Sequence, residues 1–383
     1  MQMPRCALVL AVVMATSAPG CREGLSPYVP ETEEPDTSAV RRLTFSAGND
    51  TDPVFITADS VVYAAESFPG IPTGRGLLVA TSIRGGTARL VLADVQGPSA
   101  LGPRWLAQPA RSPTGDRFAF IEVASIATPA PVVGAEPCPV REPLLDSLVL
   151  RVRSASSAGP LSPADPVLPI RLEGRDPRQK AGLAGPWDTG LHPFQATFLE
   201  EHDLPLHPSW SHDGLRVVFS DGLGLHVWNG NNTVQPVALP GTADAVSPGW
   251  SPDGEWIAFT RLERGDVTRV ACAISVGNTT QTQNRTGWAI TGRRLELVRP
   301  DGSALRTLGE GQDPAWSPDS RTLFVRRAGA IWAVPVDGGV PRLVPGTEGG
   351  RQPAAAPDGR HLAFARPGAD PDTRDIWVVR LAR

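Results

Sequence analysis

Pro248-Gly-Trp-Ser-Pro-Asp-Gly-Glu-Trp-Ile-Ala-Phe259 reads as a strand, a tight turn and a second strand. Proline presets φ, the Asp253 side chain bonds nearby backbone amides, and Gly254 takes φ > 0 without steric cost. The segment after the turn, Trp256-Ile-Ala-Phe259, is apolar on both faces, which suits a strand covered on both sides by neighbouring sheets.

The phrase recurs. Pro314-Ala-Trp-Ser-Pro-Asp-Ser-Arg-Thr-Leu-Phe-Val325 and Pro208-Ser-Trp-Ser-His-Asp-Gly-Leu-Arg-Val-Val-Phe219 are well spelled, and Pro353-Ala-Ala-Ala-Pro-Asp-Gly-Arg-His-Leu-Ala-Phe364 is a worn copy. Two weaker copies begin at Pro109 and Pro53. The closest repeat prolines stand about 40 residues apart, the length of a four-stranded propeller blade, so the wider intervals predict insertions.

This Trp-Ser-Pro-Asp-Gly phrase with its apolar strand resembles the WD-repeat-like propeller repeat of the TolB carboxy-terminal domain and of many bacterial surface and periplasmic proteins. The resemblance covers about residues 40 to 383. It implies an all-β, six-bladed propeller of four-stranded antiparallel blades. TolB carries a separate α/β domain before its propeller, for which this chain leaves no room, so the expectation is a TolB-like protein other than TolB.

Forty prolines and 39 glycines beside three methionines indicate a turn-dense fold with few long helices. With 36 basic and 40 acidic residues the net charge is −4, which gives no electrostatic case for nucleic acid.

Residues 1–20 hold Arg5, the apolar run Ala7 to Met14 and a small-residue stretch before Cys21. Such a run is an export signal rather than a membrane span. Ala18-Pro-Gly-Cys21 resembles a bacterial lipobox, although the pattern prefers leucine where Ala18 stands. The expectation is lipidation at Cys21 and a membrane anchor in the outer membrane or facing the periplasm. Residues 21–39, acidic and proline-rich, read as a tether.

Val40 to Phe45 is a strand without a repeat, and the last repeat ends after Asp375-Ile-Trp-Val-Val-Arg-Leu381 without an outer strand. The two ends fit each other, so the first strand is expected to close the ring by joining the last blade. In repeat one the third and fourth strands are expected at Arg89 to Val95 and Arg104 to Leu106, leaving Gly76 to Ile83 unassigned. Insertions are expected at about 128–143, 174–205 and 263–292, all on the face opposite the Pro-Asp-Gly turns, where binding loops reside.

Cys138 and Cys272 lie in two of these insertions and form a possible disulfide. His202, His207 and His212, spaced by five with prolines between, match no metal pattern and read as structural loop. Trp210, Trp250 and Trp316 are expected to pack between blades. Asp213, Gly214, Asp253, Gly254, Asp319, Asp358 and Gly359 are expected to form turns. No Gly-x-Ser-x-Gly elbow is present. Positions along the first strands read mostly as Ala, Gly, Ser and Trp, so no acidic or histidine set is expected to converge on the channel.

The resulting expectation is a monomeric, lipid-anchored propeller of the cell envelope. It has no catalytic site, metal or cofactor, and binds a protein or peptide at the insertion face or the channel mouth. The alternative is a metal-dependent hydrolase or lactonase-like propeller with its site in the channel.

Overall fold

In a computed structural model, the described residues are 40–46, 48–66, 77–93, 104–126, 144–155, 167–169, 206–222, 224–230, 235–276, 279–368 and 373–382. They form six four-stranded antiparallel sheets, the six blades expected from the repeats. Blade 1 comprises Asp50–Thr57, Ser60–Ala65, Leu77–Ser82 and Arg89–Ala93. Blade 2 comprises Arg104–Arg111, Arg117–Ile126, Leu144–Ser154 and Val167–Pro169. Blade 3, the most compact, runs through Ser209–Trp210, Val217–Ser220, Leu225–Trp228 and Val237–Ala238. Blade 4 contains Ala245–Trp250, Ile257–Val276, Thr279–Val298 and Arg306–Glu310. Blade 5 contains Gln312–Trp316, Thr322–Arg327, Ala330–Pro335 and Arg342–Leu343. Blade 6 takes Arg351–Ala355, His361–Pro367 and Arg374–Arg380 from the carboxy terminus, and its fourth strand is Val40–Arg42.

That fourth strand closes the ring. Val40 pairs with Val379, Arg41 with Val378 and Arg42 with Trp377. Just beyond it, the Leu43 amide donates to the Ile376 carbonyl at 2.7 Å, and Arg42 Nη2 lies 2.7 Å from Asp375 Oδ2. Pairing covers an edge that would otherwise present unpaired amides and carbonyls.

The apolar strand after each turn explains why the sheets stack. Ile257 and Phe259 pack towards blade 3 with Val218 and Leu225, whereas Ala258, one residue between, packs towards blade 5 with Leu323 and Val325. Successive side chains of a strand point to opposite faces, so a strand buried on both faces must be apolar at every position. Val217, Val218 and Phe219 divide in the same way, and so do Leu362, Ala363 and Phe364. Six apolar clusters result, one at each junction between neighbouring blades, including that between blades 6 and 1.

Two expectations are corrected. In blade 1 the third strand is Leu77–Ser82, the segment left unassigned, and the fourth is Arg89–Ala93; Arg104–Arg111 is already the first strand of blade 2. The apolar run of Leu77 to Ala80 is buried throughout, as a third strand between two others requires. The insertion at 263–292 is no irregular loop either. It continues the second and third strands of blade 4 as a hairpin, paired from Glu263↔Gly292 to Val276↔Thr279. Its many β-branched residues, among them Val267, Thr268, Val270, Ile274 and Thr282, favour the extended state. The insertions at 128–143 and 174–205, and the segments expected to be an export signal and a tether, lie outside the described residues.

Candidate functional site

Each first strand carries, or in blade 3 follows, a polar residue joined to the repeat proline: Asp52-Pro53, Gln108-Pro109, His207-Pro208, Ser247-Pro248, Asp313-Pro314 and Gln352-Pro353. At five of these dipeptides, all but His207-Pro208, the ladder slips. Thr51 pairs with Ala64 and Val54 with Val62, so Asp52 and Pro53 together oppose Tyr63 alone. The same two-against-one bulge sets Gln108-Pro109 against Phe120, Ser247-Pro248 against Phe259, Asp313-Pro314 against Val325 and Gln352-Pro353 against Phe364. A proline cannot donate to a ladder, and a bulge is where a strand tolerates it.

The bulge turns the preceding residue inward. Asp52, Gln108, His207, Ser247, Asp313 and Gln352 all have positive φ, between 36° and 53°. None is glycine, the residue that adopts this conformation without penalty. A left-handed conformation costs an ordinary residue roughly 1–2 kcal/mol. Six polar side chains are therefore held in strained backbone around one axis, with the six prolines between them. Together these twelve residues line a cavity of about 80 Å³. The first strands run from here to the Pro-Asp-Gly turns, so the ring sits at the mouth on the other face, the face from which the blade 4 hairpin extends.

Hydrogen bonds link the ring head to tail over four blades. The Asp52 amide donates to Gln352 Oε1 at 3.2 Å, the Gln108 amide to Asp52 Oδ2 at 3.4 Å and the His207 amide to Gln108 Oε1 at 2.9 Å. Gln352 Nε2 donates to Asp52 Oδ1 at 2.6 Å. Beyond His207 the pattern changes. Ser247 is too short to continue it: the Asp313 amide donates to Thr260 Oγ1 at 3.2 Å, and the Ser247 hydroxyl is 3.5 Å from Asp313 Oδ1. Gln108 is only 3% exposed, yet its Nε2 has no hydrogen-bond partner among the described residues.

Two sequence expectations change here. A set of acidic and histidine residues does converge on the channel, contributed by blades 1, 3 and 5 as Asp52, His207 and Asp313, with Gln108, Ser247 and Gln352 between them. It lies one residue before the repeat proline, whereas the strand positions considered from sequence follow it. His207 is correspondingly a ring residue rather than plain loop. Among the described residues, no three His, Cys, Asp or Glu side chains come together in a way that could hold a metal ion.

The repeat-signature residues lie at the opposite face. In the turns, the hydroxyls of Ser211, Ser251 and Ser317 donate to Asp213, Asp253 and Asp319 at 2.5, 2.6 and 2.5 Å, and accept the amides of Arg216, Trp256 and Thr322, each at 2.9 Å. The serine bond first, with help from the Leu215 amide, holds the Asp213 carboxyl below the usual carboxylate range, and Ser317 does the same for Asp319. Asp358 accepts the Arg360 amide at 3.0 Å, and Gly214, Gly254 and Gly359 take positive φ. Trp210 Nε1 donates to the Ala110 carbonyl of blade 2 and Trp316 Nε1 to the Gly249 carbonyl of blade 4. Trp250 packs against Val218 and Leu239 of blade 3, and Arg216 stacks 5.0 Å over its ring. His212 lies against Gly254. Cys272 pairs in register with Gln283 on the hairpin; Cys21, Cys138 and His202 lie outside the described residues.

No protein-family model matches the sequence, and no curated protein matches it. Several hundred solved chains match in structure. TolB from Acinetobacter baumannii has a TM-score of 0.46 at 12% identity, over 85% of this chain and 64% of its own, so the chain spans less than two thirds of that protein's length. An oligogalacturonate lyase in complex with manganese has a TM-score of 0.46 at 11% identity, over 89% of this chain and 79% of its own. A nidogen/laminin complex gives 0.43 at 11%, over 81% and 83%. Likeness this distant bears on none of the chemistry. The chain is a six-bladed β-propeller whose structural neighbours are TolB-like and other propellers.

Proposed function

We propose that this protein is a non-catalytic binding module of the bacterial envelope. It engages a segment of a protein or peptide at the mouth ringed by Asp52, Gln108, His207, Ser247, Asp313 and Gln352. The observation that carries the reading is the contrast within each repeat. The proline is the same in all six blades, as a scaffold demands, whereas the residue before it varies, is always polar and is held in a strained conformation that glycine would relieve. Strain kept where a substitution would remove it is the mark of a functional constraint.

The ring order does not form a serine-hydrolase triad. A serine nucleophile needs an imidazole between itself and the carboxylate. Here Ser247 stands between His207 and Asp313, and its hydroxyl faces Asp313 directly. The export signal and the Cys21 lipobox support a membrane-anchored location, which Cys21→Ser tests: the variant should leave the membrane fraction.

A photo-crosslinking amino acid in place of Glu66, exposed on the same face as the ring, should yield a discrete polypeptide adduct in envelopes of the producing cell. The same group in place of Val340, 80% exposed at the turn face, should not. Equal yields from both positions, or none from the mouth, would overturn the reading.

A further inference from the structure

Resting on that reading of the mouth as a polypeptide site, we propose that the group it takes is a neutral carboxamide, the side chain of an asparagine or glutamine, with Gln108 as the donor that recognises its oxygen.

Two observations narrow the chemistry from opposite sides. The lining contains the carboxylates of Asp52 and Asp313 and no Lys or Arg. A carboxylate or phosphate entering between two aspartates meets like charge in a partly desolvated space. The buried amide of Gln108 excludes the opposite extreme. Its Oε1 is occupied by the His207 amide at 2.9 Å, which fixes the flip, so the unpartnered Nε2 is a donor. An ammonium or guanidinium has no acceptor to offer it and would seal a buried donor unsatisfied.

A ligand group must therefore accept on one edge and donate on the other. A carboxamide does both: its oxygen takes the Gln108 N–H, and its NH₂ turns to the carboxylate of Asp313, three blades away and so across the axis from Gln108. Size agrees. About 80 Å³ walled by six prolines admits a planar tip of a few heavy atoms. Sites for whole small-molecule ligands occupy roughly 300–1,000 Å³. A sugar ring is too large for the cavity, and the lining offers no Trp, Tyr or Phe face for it to stack on.

The test uses the intact protein and acetylated Gly-Gly-X-Gly-Gly peptides closed by a C-terminal dimethylamide, which carries no N–H, with X as Gln, Glu or Lys, together with cellotetraose, a tetrasaccharide without amide groups, followed by saturation-transfer NMR. The glutamine peptide should bind in the millimolar range, roughly tenfold tighter than the other two peptides, the factor expected for satisfying one buried donor. Gln108→Glu keeps the acceptor for the His207 amide but buries a carboxylate beside Asp52, so its melting temperature should fall, and binding is read well below it. It replaces the donor with a third carboxylate and should invert the preference in favour of the lysine peptide. Tighter binding of the Glu or Lys peptide by the parent protein, at a site that Gln108→Glu alters, would overturn the carboxamide assignment while leaving a peptide site at the mouth. Binding of the tetrasaccharide alone, or of no probe, would overturn both.

Discussion

Asp52 and Gln352 clasp each other in both directions: the Asp52 amide donates to Gln352 Oε1 at 3.2 Å, and Gln352 Nε2 donates to Asp52 Oδ1 at 2.6 Å. The pair spans the seam where the last blade meets the first, so the polar ring fastens the propeller at its inner edge while Val40–Arg42 fastens it at the outer edge.

Gln352→Leu keeps the bulk and removes both bonds of the clasp. Losing the acceptor of a partly buried donor costs roughly 1 kcal/mol or more, and in a chain of this size each kcal/mol lowers the melting temperature by roughly 2–4 °C. Ser247→Ala, two blades away in the ring, removes only a contact of 3.5 Å and should change stability by less than about 0.5 kcal/mol. Equal melting temperatures for the two variants would show that the clasp contributes nothing.

The strain in the ring makes its own forecast. Ser247 has φ 51°. Glycine there relieves about 1–2 kcal/mol of left-handed strain but adds freedom to the unfolded chain, on the order of 0.5–1 kcal/mol. Ser247→Gly should therefore be neutral to mildly stabilising, by up to about 1 kcal/mol, although the change deletes a side chain. Ser247→Val, with a branched carbon at positive φ, should destabilise by more than 1 kcal/mol. Chemical denaturation of the pair checks the ordering, and a Val variant as stable as the Gly variant would deny the strain.

The outer edge is tested by truncation. Removing residues 40–46 strips the fourth strand from blade 6, uncovers Leu43 and takes Arg42 from beside Asp375, which is 1% exposed. A buried carboxylate that loses its cation costs roughly 3–5 kcal/mol by itself. Removing residues 22–36 should leave the melting temperature unchanged. If both truncations melt alike, closure by Val40–Arg42 is not what holds the ring shut.

The fold was legible because it is written six times. Turn chemistry in Pro-Asp-Gly and the two-sided apolar strand after it both depend on local sequence, so Pro248 to Phe259 alone fixes a blade's inner half. The third strand of blade 1 was misplaced for the opposite reason: Leu77–Ser82 carries no turn signature of its own, and only its pairing with Ser60–Ala65 identifies it. The ring was missed because repetition directs attention to what stays constant. Asp52, Gln108, His207, Ser247, Asp313 and Gln352 differ from blade to blade, and the signal available in sequence was that a polar, non-glycine residue precedes every repeat proline. That such a residue lies in a bulge follows, in five of the blades, from the ladder registers, which no single repeat reveals.

The seam also carries a titration. Asp50, at 0% exposure, accepts the Ser46 hydroxyl at 2.6 Å, while its Oδ1 has no hydrogen-bond partner among the described residues. Burial pushes its carboxyl up to about 7 against the pull of Ser46 and Thr44, with the charges of Asp375 and Glu66 adding to the rise. Asp375 is raised too, again chiefly by burial, with Arg42 opposing. For an acid whose folded value is raised, the folded state holds its proton while the unfolded state releases it. Stability is then unaffected below about pH 4, falls as pH rises from about 4 to 7 and levels off above 7, where the loss from Asp50 is on the order of 4 kcal/mol. Asp50→Asn retains an acceptor for Ser46 and has no proton to lose. Melting temperatures measured from pH 4.5 to 8 should decline for the parent and decline much less for Asp50→Asn, leaving the variant the more stable protein at pH 8. Parallel declines would place the titration elsewhere, and a variant less stable than the parent at pH 8 would show that the Asp50 carboxylate is stabilised in its ionised form.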